Sequence, residues 1–214
     1  MTSISFPRRG LYLVTPDAGA HDSLVARVLP LLPWAACVQY RNKAASDARR
    51  REEAAALREA CHRAGVCFIV NDDPHLALEV GADGVHIGED DGGIANARAL
   101  LGPSRTIGAS CYDDAQRARD AVAAGADYVA FGALFPSTTK PNARRATPTL
   151  FSATAALNVP KVAIGGITPD NARVAVEGGA DLIAVIGGVF DAPDPVAAAR
   201  ACAAAFRTPE ENAR

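Results

Sequence analysis

Nowhere in the 214 residues do eighteen apolar residues run uninterrupted, which leaves no candidate for a membrane-spanning helix. The opening segment MTSISFPRRG carries two arginines with no apolar run of secretory length behind them, so no signal peptide is expected. No two cysteines stand in C-x-x-C spacing. Cys37, Cys61, Cys67, Cys111 and Cys202 are scattered, a pattern that fits neither a disulfide framework nor a zinc site and suits reduced thiols in the cytoplasm. Charge of neither sign is in excess. With a net charge of −2 and a pI near 6.1, neither nucleic acid nor a membrane surface is expected as a partner, and any recognition of phosphate must be local. The first apolar run is followed by LYLVTPDAGA rather than G-x-G-x-x-G, which argues against a dinucleotide-binding fold, and no linker or low-complexity tract divides the chain.

Short β-branched, apolar runs are plentiful: residues 11–15, 36–41, 67–71, 84–88, 105–110, 128–133, 161–166 and 182–188. Between them lie Ala- and Arg-rich segments with helical spacing, among them 46–65, 113–125 and 169–179. Strict alternation with connections too long for hairpins implies parallel strands, and near-continuous hydrophobicity implies strands buried on both faces. Gly-Ala-Asp recurs at 81–83, 125–127 and 179–181, each time between a helix end and a strand, where it reads as a stabilising turn on the bottom of a barrel. Polar residues with chemical potential gather instead after the strands. That segregation points to a closed sheet, an α/β fold consisting of a single (β/α)8 TIM barrel over residues 1–214, with 1–10 and 207–214 expected to be flexible tails.

After the second run stand Gln39, Tyr40, Arg41, Asn42 and Lys43, and alternation sends Gln39, Arg41 and Lys43 to one side. A planar guanidinium and a compact ammonium together suit a diphosphate. The third run ends in Asn71, Asp72 and Asp73, and the fourth is followed by Glu89, Asp90 and Asp91. Crowded carboxylates repel unless a hard cation such as Mg²⁺ lies between them; Asp73, before Pro74, is assigned to a helix cap, and Asp72 with Asp91 to metal. Ser110 closes the fifth run with no His and Asp spacing that would make it a nucleophile, so it reads as a hydrogen-bonding group for substrate. Ser137, Thr138, Thr139 and Lys140 form a second anion site on a polar loop, with Arg144 and Arg145 following. Gly165–Gly166 and Gly187–Gly188 end the seventh and eighth runs, where barrels commonly bind phosphate through backbone N–H groups. His86 reads as a barrel-interior residue rather than a catalyst, and His21, His62 and His75 as surface helix residues.

The ordered set VQYRNK, VNDD, GADGVHIGEDD, GAS, FPSTTK, AIGGI and AVIGG, spread over residues 11 to 206, resembles the thiamine phosphate synthase family. The resemblance implies transfer of a hydroxymethylpyrimidine group from its diphosphate to a thiazole phosphate, with release of pyrophosphate. It implies contacts from Gln39 through Lys43, Asn71, Ser110 and Lys140 to the pyrimidine diphosphate, and Mg²⁺ on Asp72 and Asp91. It further implies contacts from Ser137 through Thr139, Gly166, Ile186 and Gly187 to the thiazole phosphate. Arg41, Lys43, Ser110 and Lys140 are then the residues expected to act on the reacting groups. Two phosphorylated small molecules are the implied partners, and the sequence leaves the oligomeric state open, a homo-oligomer included.

Four positions depart from the commonest family pattern: Ser137 stands where Thr is usual, Ala133 where Pro is usual, Gly187 where Ser is usual and Tyr112 where His is frequent. The last bears on a rival. A related thiazole tautomerase uses the same barrel and depends on a histidine at the Tyr112 position, so the intact cation and carboxylate set favours the synthase. A non-catalytic phosphate-ligand sensor is the remaining alternative, and retention of both acidic clusters and all the cations argues against it.

Overall fold

The computed structural model describes residues 4–18, 23–136 and 144–207. Eight strands, β1 Gly10–Val14, β2 Ala35–Tyr40, β3 Cys67–Asn71, β4 Gly84–Ile87, β5 Thr106–Tyr112, β6 Tyr128–Phe131, β7 Lys161–Ile164 and β8 Leu182–Val185, close into a barrel in sequence order. Every pair is parallel, including β1 with β8. The helices are α1 Leu24–Val28, α2 Asp47–Arg63, α3 Pro74–Val80, α4 Ile94–Leu101, α5 Ala115–Ala123, α6 Thr149–Ala153, α7 Ala172–Glu177, α8 Gly187–Phe190 and α9 Pro195–Ala204. None among the described residues is long and apolar enough to cross a membrane.

Local sequence explains where helices begin. Ser46, Asp73, Asp114 and Asp194 accept backbone N–H bonds as N-caps, and Pro74 and Pro195 follow their caps at positions that need no N–H. Asp73 is thus the cap expected of it. Alternation along the strands separates two cores. One lies between strands and helices; the other fills the barrel with Tyr12, Val14, Cys37, Cys67, Ile69, Tyr128, Ala130, Val162, Leu182 and Ala184. All five cysteines are free and buried.

The Gly-Ala-Asp turns share one device on the barrel floor. Asp83, Asp127 and Asp181 accept the backbone N–H of Phe68, Ile107 and Lys161 at 2.8, 2.7 and 2.8 Å, and their own N–H groups return to the carbonyls of those same residues. Each aspartate thereby ties an odd strand to the even strand after it. Asp83 also accepts from Ile4 N at 2.7 Å and pairs with His62 at 3.0 Å. His62 is therefore held against the barrel floor rather than lying free on the surface. His75 is exposed on α3, and His21 lies outside the described residues.

Residues 4–9, expected from composition to be part of a loose tail, instead pack onto the floor. Phe6 stacks on Tyr128 with ring centroids 4.0 Å apart and planes 3° apart, and Ile4 joins the interior cluster. Phe6 is half-buried, so its contact is worth less than the roughly 1.5–3 kcal/mol of a fully buried side chain. A cleft of about 370 Å³ opens beside it, lined by Arg8, Arg105 and Asn158. It lies at the opposite end of the barrel from the polar strand ends.

Candidate active site

The carboxyl ends of β2 and β3 border a cleft of about 520 Å³ whose walls include Arg41, Lys43, Asn71 and Asp72. Arg41 is positioned twice: its backbone N–H donates to Thr15 Oγ1 at 2.8 Å and its guanidinium donates to Asp17 at 2.9 Å. Asp17 also accepts the Lys43 backbone N–H at 2.7 Å. Burial works to raise the Asp17 carboxyl pKa, but the Lys43 N–H and the Arg41 guanidinium outweigh it and hold the group below the ordinary carboxylate range. Thr15 and Asp17 shape the 41–43 turn, and the sequence reading singled out neither.

Asp72 occupies the left-handed region at φ 63°, which an aspartate tolerates better than a bulkier residue. Its N–H donates to His86 O at 2.8 Å, and its carboxylate lies 2.8 Å from Lys43 Nζ. Asp91 accepts the Gly88 N–H at 2.7 Å, and its carboxyl lies within the field of the Asp72 carboxylate. Burial raises both acids. The Lys43 ammonium then draws Asp72 below its ordinary range, while contact with Asp72 pushes Asp91 further up. Two hard oxygen donors side by side, one already paired to a cation, fit a site for a small divalent ion that takes one or two carboxylates. Glu89 is not part of this pair. It joins Arg117 at 3.4 Å and Arg144 at 3.3 Å, and those two guanidiniums flank the Tyr112 ring at 5.6 and 4.9 Å.

Tyr40 and Asn42 bond with their side chains to the helix layer. Both are buried, and Tyr40 Oη and Asn42 Nδ2 each donate to Glu53 Oε2 of α2 at 2.9 Å. Strand alternation turns them toward the helix layer while Gln39 and Arg41 face inward. Their polar side-chain atoms are thereby engaged by α2, although both residues line the cleft.

Inside the mouth, Gln39 Nε2 donates to Tyr12 Oη at 2.8 Å, and Ser110 Oγ lies 2.9 Å from His86 Nε2. Burial pushes the His86 pKa down to about 4, against the field of Asp72, so the ring is neutral near pH 7. His86 is an interior residue, as its place in the fourth run suggests, and it touches a residue expected to bind substrate.

On the other side of the mouth the lining is backbone. Gly166 has φ 65°, and a Cβ there would come within 2.3 Å of Pro136 O, so the turn after β7 requires glycine. Asn171 staples this turn by donating to Gly166 O and accepting from Thr168 N, both at 2.9 Å. Gly187 and Gly188 open α8, and the first N–H groups of a helix have no intrahelical acceptor. Ile186 immediately precedes them. Leu134 and Phe135 donate to Ile164 O and Gly165 O at 2.9 and 3.0 Å, which brings the chain after β6 against the end of β7. Ser137, Thr138, Thr139 and Lys140 lie outside the described residues.

Comparison with known proteins shows the family. Residues 11–189 match the family described as thiamine monophosphate synthase. A thiamine-phosphate synthase of Xanthomonas campestris pv. campestris is 59% identical over 198 residues, spanning 92% of this chain and 96% of the relative. One from Azoarcus sp. is 58% identical over 202 residues, spanning 92% and 97%. Among solved structures, a thiamine phosphate pyrophosphorylase from Pyrococcus furiosus superposes with a TM-score of 0.81 at 33% identity, covering 91% of this chain and 94% of that one. With one family matched across the barrel and both halves of its rim, the chain belongs to the thiamine monophosphate synthase family.

Proposed function

We propose that this protein joins a hydroxymethylpyrimidine diphosphate to a thiazole phosphate, giving thiamine phosphate and pyrophosphate. The observation that carries the reading is the division of one rim into two unlike halves. Arg41, Lys43, Asp72 and Asp91 stand on one side, and the glycine backbone of Gly166, Gly187 and Gly188 on the other. A diphosphate needs concentrated positive charge as it leaves; a monophosphate that only anchors its substrate is served by N–H groups.

In this reading the C–O bond to the diphosphate breaks first and its electron pair leaves with the pyrophosphate. The thiazole nitrogen lone pair then closes the C–N bond. No proton need move and no enzyme nucleophile is required, consistent with a mouth whose serine is bonded to a neutral imidazole. Mg²⁺ held by Asp72 and Asp91 would neutralise charge growing on the departing diphosphate. Arg41, fixed by Asp17, and Lys43 bind its oxygens, with Lys140 as a third cation from the following loop. Gln39, Asn71 and Ser110 orient the pyrimidine, and the backbone at Tyr40 and Asn42 borders the diphosphate. Ser137, Thr138 and Thr139 complete the thiazole phosphate site with Gly166, Ile186 and Gly187. Holding the two substrates face to face supplies the remaining rate enhancement through orientation.

Tyr112, clasped by two arginines, stands where the tautomerase reading needs a histidine, and no observation favours that alternative. Five buried free thiols accord with a reducing compartment, and we place the reaction in the cytoplasm. Purified protein given both substrates and Mg²⁺ should release pyrophosphate and form thiamine phosphate in equal amounts. Absence of both products would remove the synthase reading.

A further inference from the structure

The polar groups of the barrel interior form one unbroken chain. Gln39 Nε2 donates to Tyr12 Oη at 2.8 Å, Tyr12 Oη lies 2.8 Å from Tyr128 Oη, Tyr128 Oη lies 2.9 Å from His86 Nδ1, and His86 Nε2 lies 2.9 Å from Ser110 Oγ. It crosses β2, β1, β6, β4 and β5 in turn. Its two ends are residues that the proposed function puts on the pyrimidine diphosphate; the three groups between them are buried.

Packing alone does not call for these groups. The surrounding interior cluster is apolar, and phenylalanine would fill the same volume without a hydroxyl. A buried hydroxyl left unpaired costs about 1–3 kcal/mol, so two tyrosines and a histidine are tolerated only as a bonded set. The Tyr128 ring is also held from two sides. Phe6 stacks against it, and a Cβ at Gly108 would come within 1.9 Å of its Cζ, so that position must be glycine for the phenol to lie across the interior.

Donor rules give the chain a direction. An amide nitrogen only donates, so Tyr12 Oη receives the Gln39 N–H and passes its own proton to Tyr128 Oη. Tyr128 then donates to Nδ1, which leaves the imidazole proton on Nε2, directed at Ser110 Oγ. In the opposite order Tyr12 Oη would accept from both Gln39 and Tyr128, and its own proton would have no oxygen or nitrogen acceptor among the interior hydrogen bonds. We infer that Tyr12, Tyr128 and His86 are positioning residues that fix Ser110 as a hydrogen-bond donor toward an acceptor atom of the pyrimidine diphosphate and hold the Gln39 amide beside it. The inference rests on the proposed function for the name of that substrate, but the order of the protons is independent of it.

The test uses the full-length protein. Nitrogen-15 NMR of labelled histidine in the substrate-free protein should show His86 as the Nε2–H tautomer, and Tyr128→Phe, which keeps the ring and its stack, should abolish that preference. In turnover, Tyr128→Phe and Tyr12→Phe should lower kcat/KM for the pyrimidine diphosphate about tenfold, the loss of one buried hydrogen bond, while KM for the thiazole phosphate stays within about twofold. A general loosening of the barrel would move both substrates. Should Tyr128→Phe fail to fold, Tyr12→Phe leaves the Phe6–Tyr128 stack in place and carries the same expectation. An Nδ1–H tautomer in the unsubstituted protein, or an equal effect on both substrates, would overturn the inference. A protein without turnover would refute the proposed function alone, because the tautomer and its response to Tyr128→Phe would still decide the order of the chain.

Discussion

Replacing Asp72 by Asn removes a charge while keeping a side chain that tolerates the left-handed backbone at this position. A carboxylate about 4 Å from a divalent cation interacts at roughly 8 kcal/mol at an effective dielectric constant of 20. Asp72 is 24% exposed at its side chain, and discounting for solvent and for the oxygen donor that Asn retains leaves about 3 kcal/mol toward a bound cation. The Mg²⁺ concentration giving half-maximal pyrophosphate release should therefore rise about a hundredfold in Asp72→Asn. Stability should change little. The ion pair that is lost involves Lys43, 60% exposed, and such pairs contribute about 0–1 kcal/mol, so the melting temperature should move by less than about 4 °C. The assay is a Mg²⁺ titration of initial rate at saturating substrates, alongside a thermal melt. An unchanged half-saturating concentration with intact turnover would show that Asp72 holds no metal.

Tyr40→Phe removes only the bond to Glu53 and should lower stability by about 1.5 kcal/mol, with a fall in melting temperature of about 3–6 °C and kcat within twofold of the unsubstituted enzyme. Asp83→Ala strands the N–H groups of Phe68 and Ile4 and the ring of His62; urea denaturation should show a loss of about 3–5 kcal/mol, and turnover per folded molecule should be retained because the change lies on the barrel floor. His86 has a folded-state pKa of about 4, depressed by burial from an ordinary 6.5, so the unfolded chain binds the extra proton between those values. Its contribution is present above pH 6.5 and lost as pH falls toward 4; between pH 8 and pH 5 the protein should lose about 2 kcal/mol more than His86→Gln does, measured by urea midpoints. Equal losses in the two proteins would mean that the imidazole is not held neutral.

Strand positions and the side of the barrel that carries chemistry were legible because both are local. Runs such as CFIVN and LIAV carry their own signal, and the polar residues follow them directly. The inward direction of Gln39 and Arg41 followed from alternation, and the same rule already implied that Tyr40 and Asn42 point outward. Their partner Glu53 was not legible, since it lies thirteen and eleven residues away on another element. Tyr12 and Tyr128 are 116 positions apart, and nothing in either strand records that their hydroxyls meet. Asp17 was hidden for a similar reason: an aspartate after a proline reads as a turn residue until the 41–43 segment is seen against it. The packing of Phe6 depends on barrel closure, which composition does not reveal.

Calorimetric titration of pyrophosphate and of thiazole phosphate, each with and without Mg²⁺, separates the two halves of the rim most directly. Pyrophosphate should bind only with the metal and lose that binding in Asp72→Asn, while thiazole phosphate should bind equally well in both conditions. Tight pyrophosphate binding without Mg²⁺, or thiazole phosphate binding that needs the metal, would contradict the division of the site.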